Sequence, residues 1–146
     1  MRAYSVAAAA VALAAVSAAW PANVRSAGPG SSGYPAPVFR GGNAGWGLVV
    51  DTRSSPLRYD LVVPQLVGVA YGSLAPDPQV EPKLGRHALI GRVNVGGQAR
   101  ELVVRIAKAP AGQPCLDSAG KPHGYALIAG AAKTANWYGC GDFDQR

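Results

Sequence analysis

"NVGGQARELVV", from Asn94 to Val104, decides the fold class. Two adjacent glycines, Gly96 and Gly97, supply the positive φ values that a two-residue hairpin turn demands. The flanks repeat with a period of two. "HALIGRVNV" places Leu89, Val93 and Val95 on one side with Gly91 between them, and "RELVVRIAK" sets Leu102, Val104 and Ile106 against Glu101 and Arg105. Alternation of this kind marks antiparallel strands with one face buried.

The same period runs outward in both directions. "WGLVVD" aligns Trp46, Leu48 and Val50, and "LRYDLVV" aligns Leu57, Tyr59, Leu61 and Val63 opposite Arg58 and Asp60. "LVGVAYGSL" sets Val67, Val69 and Tyr71 together. "GYALIAGAA" is alanine-rich and has helical propensity, but its two glycines and short length favour a strand; "NWYGC" completes the set. Turn chemistry separates the runs: Arg-Ser-Ser-Pro, Pro-Asp-Pro, Gly-Gly-Gln and Ala-Gly-Lys-Pro. About seven strands joined by tight turns predict an all-β antiparallel meander. Closing it into a barrel, or folding it into a sandwich, protects the sheet edges.

This domain is expected over residues 38–146. Residues 20–37, rich in Gly, Pro, Ser and Ala with a single charge, read as a flexible linker. Residues 1–19 combine Arg2, an uncharged apolar run from Val6 to about Val16, and small residues up to Ala18 and Ala19. Those features predict a secretory signal peptide cleaved after Ala18 or Ala19. The run is shorter than the roughly 20 residues of a spanning helix. The expected location is therefore periplasmic or secreted, with no transmembrane span in the mature form.

Export bears on the two cysteines, Cys115 and Cys140. Outside the reducing cytosol an even number of cysteines pairs, so a structural disulfide is expected. A reactive thiol assisted by His123 is the alternative, and the spacing is not Cys-x-x-Cys.

Without residues 1–18 the chain carries thirteen Lys and Arg against eight Asp and Glu, a net charge of +5. Such a balance favours anionic surfaces such as cell-wall polymers or lipid head groups. The basic residues are scattered and do not interleave with aromatics, so nucleic acid is not an expected partner. The motifs of nucleophilic, phosphate-binding and zinc-dependent enzymes do not occur. Gly41–Gly47 is glycine-rich, but a strand follows it and a phosphate cradle needs a helix N-terminus. His87 and His123 have no second pair of metal ligands at a recognisable spacing. His123 reads as a solvated turn residue, and Asp142 and Asp144 as a solvated tail. No catalytic residue, cofactor or metal is assigned.

Three stretches carry a family resemblance: "GGNAGWGLVVD" with Trp46, "LVVRIAKAPAGQPCLDSAGKPHGYALIAG" with Cys115, Asp117 and Tyr125, and "YGCGDF" with Gly139 and Cys140. Together they resemble a divergent member of a family of small bacterial envelope proteins and lipoproteins. Those proteins show a Gly-x-x-x-Phe-Trp start, a Cys-x-Asp-Gly-Met-Ser loop and a terminal Gly-Cys. The resemblance spans about residues 39–143. This chain has Gly45 in place of the Phe and Ser118-Ala119-Gly120 in place of the Gly-Met-Ser stretch. The resemblance implies a compact β domain with a disulfide in the envelope, and no defined activity.

The functional expectation is a non-enzymatic module that binds an envelope ligand or protein partner. Its candidate contacts are Trp46, Tyr71, Tyr125, Trp137 and Tyr138, because aromatics dominate pockets and hot spots, together with Asp117. Two alternatives accompany it. One is inhibition of a host hydrolase such as c-type lysozyme, which is basic and would require an acidic contact loop. The other is a cell-wall or lipid enzyme built on Asp117, His123 or His87, which requires His123 and Asp117 to share a concave pocket with a third polar group.

Overall fold

The computed structural model describes residues 33–133 and 135–146. The expected signal peptide and residues 20–32 of the expected linker lie outside them. Ten strands follow one another: β1 (Val38–Asn43), β2 (Trp46–Asp51), β3 (Leu57–Val63), β4 (Gly68–Pro76), β5 (Arg86–Val95), β6 (Gln98–Lys108), β7 (Cys115–Leu116), β8 (Pro122–His123), β9 (Tyr125–Ala131) and β10 (Ala135–Asp144). Eight of them close an antiparallel barrel in the order β1-β10-β9-β6-β5-β4-β3-β2, and β7 pairs with β8 as a separate two-stranded hairpin. The architecture is a barrel rather than a sandwich. It is a meander closed by its first and last strands, with one excursion between β6 and β9.

Alternation builds the core. In β3 every second residue is buried, Leu57, Tyr59, Leu61 and Val63, while Arg58, Asp60 and Val62 face solvent. The hairpin at Gly96–Gly97 has φ of +58° and +79°, as its two-residue turn requires, and the β5–β6 register runs from Arg86–Ala107 to Val95–Gln98. Phe39, Leu48, Leu61, Leu102, Val104, Leu127 and Ala129 are fully buried and belong to one cluster. Burying each large apolar side chain stabilises the fold by about 1.5–3 kcal/mol. An eight-stranded barrel is just wide enough for such side chains to fill it. The lumen is core, so a ligand must bind elsewhere.

Three details depart from the sequence reading. First, the sequence reading places Gly41 and Gly42 in a glycine-rich loop, whereas they belong to strand β1. They face Gly141 and Cys140 of β10 at the closure of the barrel. A Cβ on Gly139 would collide with the Gly42 carbonyl, and one on Gly141 with the Arg40 carbonyl. Close backbone approach, not turn formation, uses these glycines. Second, Val69 and Tyr71 of β4 face solvent, while the small residues Gly68, Ala70 and Gly72 face inward. Val67 instead packs against the core. Third, the packed chain begins before Val38. Tyr34 packs on the core, and the Thr52 amide and hydroxyl both donate to the Pro37 carbonyl, at 2.8 and 3.0 Å.

The two ends of the barrel differ. Short turns close one end, at residues 44–45, 64–67, 96–97 and 132–133. The longer connections, 52–56, 77–85 and 109–124, gather at the other, together with residues 33–37 and the C-terminus. We call these the turn end and the loop end. Among the described residues no helix is long and apolar enough to cross a membrane.

Candidate functional site

Cys115 of β7 is bonded to Cys140 of β10, with Cα atoms 5.6 Å apart, and no cysteine is free. The bond fastens the β7–β8 hairpin to the barrel. It is a staple, as expected, and leaves no thiol for chemistry.

A second fastening lies beside it. His123 of β8 stands between two carboxylates: its Nδ1 is 2.7 Å from Asp142 Oδ2 and its Nε2 is 3.0 Å from Asp117 Oδ2. The other Asp142 oxygen accepts from the Gly124 amide at 2.7 Å. The other Asp117 oxygen accepts from the Ala119 and Lys121 amides, both at 2.9 Å. A carboxylate only accepts, so both ring nitrogens donate when both contacts are made, and the ring is then an imidazolium. Hydrogen bonds to Asp117 and then Asp142 hold the His123 pKa above its ordinary value. The bond from His123 and the Lys121 amide lower that of Asp117.

The reading of His123 as a solvated turn residue is therefore corrected: its side chain is 15% exposed and doubly paired. Asp142 is likewise not part of a free tail but a residue of β10 that anchors the hairpin. A third polar group does join Asp117 and His123, yet none of the three lines either of the two hollows described below. With both ring nitrogens occupied, His123 has no lone pair to accept a proton. The carboxylates approach opposite sides of the ring, and no metal-holding group of three ligands occurs among the described residues.

The loop end is closed by aromatic rings centred on Phe143. Its centroid lies 5.1 Å from Phe39, 5.0 Å from Tyr125 and 5.5 Å from His87. Tyr34 covers His87 at 4.9 Å. Burial pushes the His87 pKa down and the Tyr34 pKa up. His87 Nε2 is buried and has no hydrogen-bond partner among the described residues. Tyr125 thus belongs to this plug, packed against the core.

Next to the plug opens a cleft of about 870 Å³ beneath the 77–85 loop, lined by Tyr34, Val80, Leu84, Arg86, His87 and other residues. Leu84 is wholly exposed at its rim. On one side Arg105 pairs with Asp77 at 2.9 Å. Apolar walls with a few converging polar groups are what small-molecule sites share. A second hollow, of about 580 Å³, lies on the outer face of β6, β9 and β10 between Val103, Ile128 and Asn136.

The remaining candidates disperse. Trp46 and Trp137 meet at 6.3 Å toward the turn end, and Trp46 Nε1 donates to the Tyr138 carbonyl at 3.1 Å. Both indoles pack on the core. Tyr71 and Tyr138 are exposed, on β4 and β10 respectively. The named aromatics do not assemble one pocket. The cleft is made by Tyr34, Val80, Leu84 and His87, of which only His87 was singled out, and only as a catalytic alternative. The signal for Tyr34 was a lone aromatic at the end of a Gly/Pro-rich segment. The 77–85 loop carries Asp77, Glu81 and Lys83, and Asp77 is neutralised by Arg105, so it is not the acidic loop that a lysozyme inhibitor would need. Neither a family model, nor a curated protein, nor a solved structure matches this chain.

Proposed function

We propose that this chain is an exported, non-enzymatic β-barrel module of the bacterial envelope that binds a small, largely apolar ligand. The observation carrying this reading is the cleft beneath the 77–85 loop. It is the larger of the two hollows described above, it adjoins a half-buried imidazole whose Nε2 is buried and unsatisfied, and the lumen is already filled. The signal-like N-terminus, the disulfide and the resemblance to envelope proteins support the location. The occupied nitrogens of His123 support binding over catalysis.

A thermal-shift screen of the oxidised protein tests it, with fatty acids, phospholipids, haem, peptidoglycan fragments, divalent metals and c-type lysozyme. A ligand at a hundred times its dissociation constant, binding only the folded state, adds about 2.7 kcal/mol. The expected result is a shift with an apolar compound that Leu84→Asp and Tyr34→Ala abolish and Trp46→Ala leaves intact. A flat panel, or a shift that the cleft variants do not alter, removes the cleft as the binding site.

A further inference from the structure

The β3–β4 hairpin carries an apolar stripe on its solvent face. Leu66 sits in its turn, 42% exposed; Val62 and Val69 are 40% and 56% exposed, and Tyr71 is 73% exposed. Val62 and Val69 are directly opposite in the register, and Asp60 opposite Tyr71 marks the inner limit of the stripe. Packing does not explain these side chains, because β4 turns Gly68, Ala70 and Gly72 inward and its large residues outward.

Charge is distributed unevenly about this stripe. Of the eight acidic residues, Asp51, Asp77, Glu81 and Asp144 are at the loop end. Asp117 and Asp142 are tied together through His123 at β10, the strand diametrically across the ring from β4. Only Asp60 and Glu101 remain, and Glu101 faces Arg92 in the β5–β6 register. The four turns of the turn end contain no acidic residue, while Arg92, Arg100 and Lys133 lie in that half of the barrel. A leucine in the turn and a stripe of valine and tyrosine, with Arg92 and Arg100 on the neighbouring β5 and β6, Lys133 across the same end of the barrel and no carboxylate in its turns, match the chemistry of an interfacial membrane contact. Such contacts combine shallow apolar insertion with attraction to anionic lipid.

We infer that the turn end docks onto an anionic lipid surface, with Leu66 at the leading tip and Val62, Val69 and Tyr71 entering the head-group region. The contact is peripheral, because the mid-strand outer face carries Arg58, Asp60, Arg92, Glu101 and Arg105 and not the apolar band of a spanning barrel. The loop-end cleft faces away from the bilayer in this arrangement and stays open to ligand.

The test places an environment-sensitive fluorophore on Gln65→Cys of the full chain, with Gln79→Cys at the loop end as the reference position. Reporting from the tip itself separates this contact from any made by the apolar N-terminal run. Vesicles of phosphatidylcholine with phosphatidylglycerol should shift the emission at position 65 to the blue and leave position 79 unchanged. Loss of the anionic lipid, or high salt, should weaken binding by roughly fivefold for each basic residue engaged. Leu66→Ser/Val69→Ser/Tyr71→Ser, all exposed positions, should keep the melting curve and lose the shift. No change at position 65, equal response at both positions, or a response to a soluble polyanion but not to vesicles would overturn the inference.

Discussion

The Tyr59 hydroxyl donates to the carbonyl of Arg92, 33 residues away, at 2.5 Å. Tyr59 belongs to β3 and Arg92 to β5, so the bond spans the intervening strand β4. The β4–β5 ladder is confined to Leu74–Gly91, Ala75–Ile90 and Pro76–Leu89. Beyond those pairs the tyrosine ring lies under Gly72, where a Cβ would come within 2.7 Å of it, and its hydroxyl satisfies the backbone of β5.

Tyr59→Phe removes that donor and strands a carbonyl inside the barrel wall. Leaving a buried acceptor unsatisfied costs about 1–3 kcal/mol. The melting temperature should fall by several degrees, since about 1 kcal/mol moves a domain of this size by roughly 4–8 °C. An unchanged melting curve would mean that water replaces the hydroxyl at no cost.

Gly139→Ala should be costlier than its single methyl suggests. The added Cβ meets backbone, the Gly42 carbonyl, rather than a movable side chain. Overpacking of this kind costs about 1–3 kcal/mol, and here it acts where β1 and β10 close the barrel. Amide exchange in β1 should quicken more than in β5 and β6. Equal effects on all strands would show that closure is not a separable step.

Cys140→Ser should destabilise the domain by about 3 kcal/mol on the chain-entropy account of a loop this size. The native wild-type protein should titrate no free thiol. Two reactive thiols in the folded state would contradict the staple.

The His123 clamp gives stability a pH signature with two limbs. The His123 pKa is raised in the fold, so its contribution is complete below the unfolded histidine value near 6.5 and is lost as pH rises through the raised one. The Asp117 pKa is lowered, so its contribution is present above the unfolded carboxyl value near 3.8 and is lost as pH falls through the lowered one. The hairpin should be held most firmly between those two ordinary values. Above that window, protection of the hairpin amides against exchange, corrected for the intrinsic rise of exchange with pH, should fall. His123→Gln should remove the alkaline limb while Asp117 continues to accept from the Ala119 and Lys121 amides. An alkaline limb that persists in His123→Gln would have to come from another group.

The all-β class was legible because period-two alternation is a local property. Leu57 to Val63 and Leu102 to Ile106 each declare an inward face without reference to any partner. The Gly96–Gly97 turn was legible because its backbone requirement sits in two adjacent residues. β1 escaped because Gly41 and Gly42 have no side chains to alternate, and their purpose emerges only against β10. Among the candidate contacts, Trp46 and Trp137 lie 91 positions apart in the chain and meet only through barrel closure, so residue type alone does not reveal that the two indoles share one half-buried place.

By itself the sequence determined the alternating strands and the tight hairpin, which follow from spacing along the chain, and the pairing of the two cysteines, which follows from their even number in a chain expected to be exported. The closure of β1 on β10, the clamp of Asp117, His123 and Asp142, and the cleft between Tyr34 and the 77–85 loop were decided by tertiary structure. Each joins residues tens of positions apart, and their meeting depends on strand register and barrel closure, which no local pattern encodes.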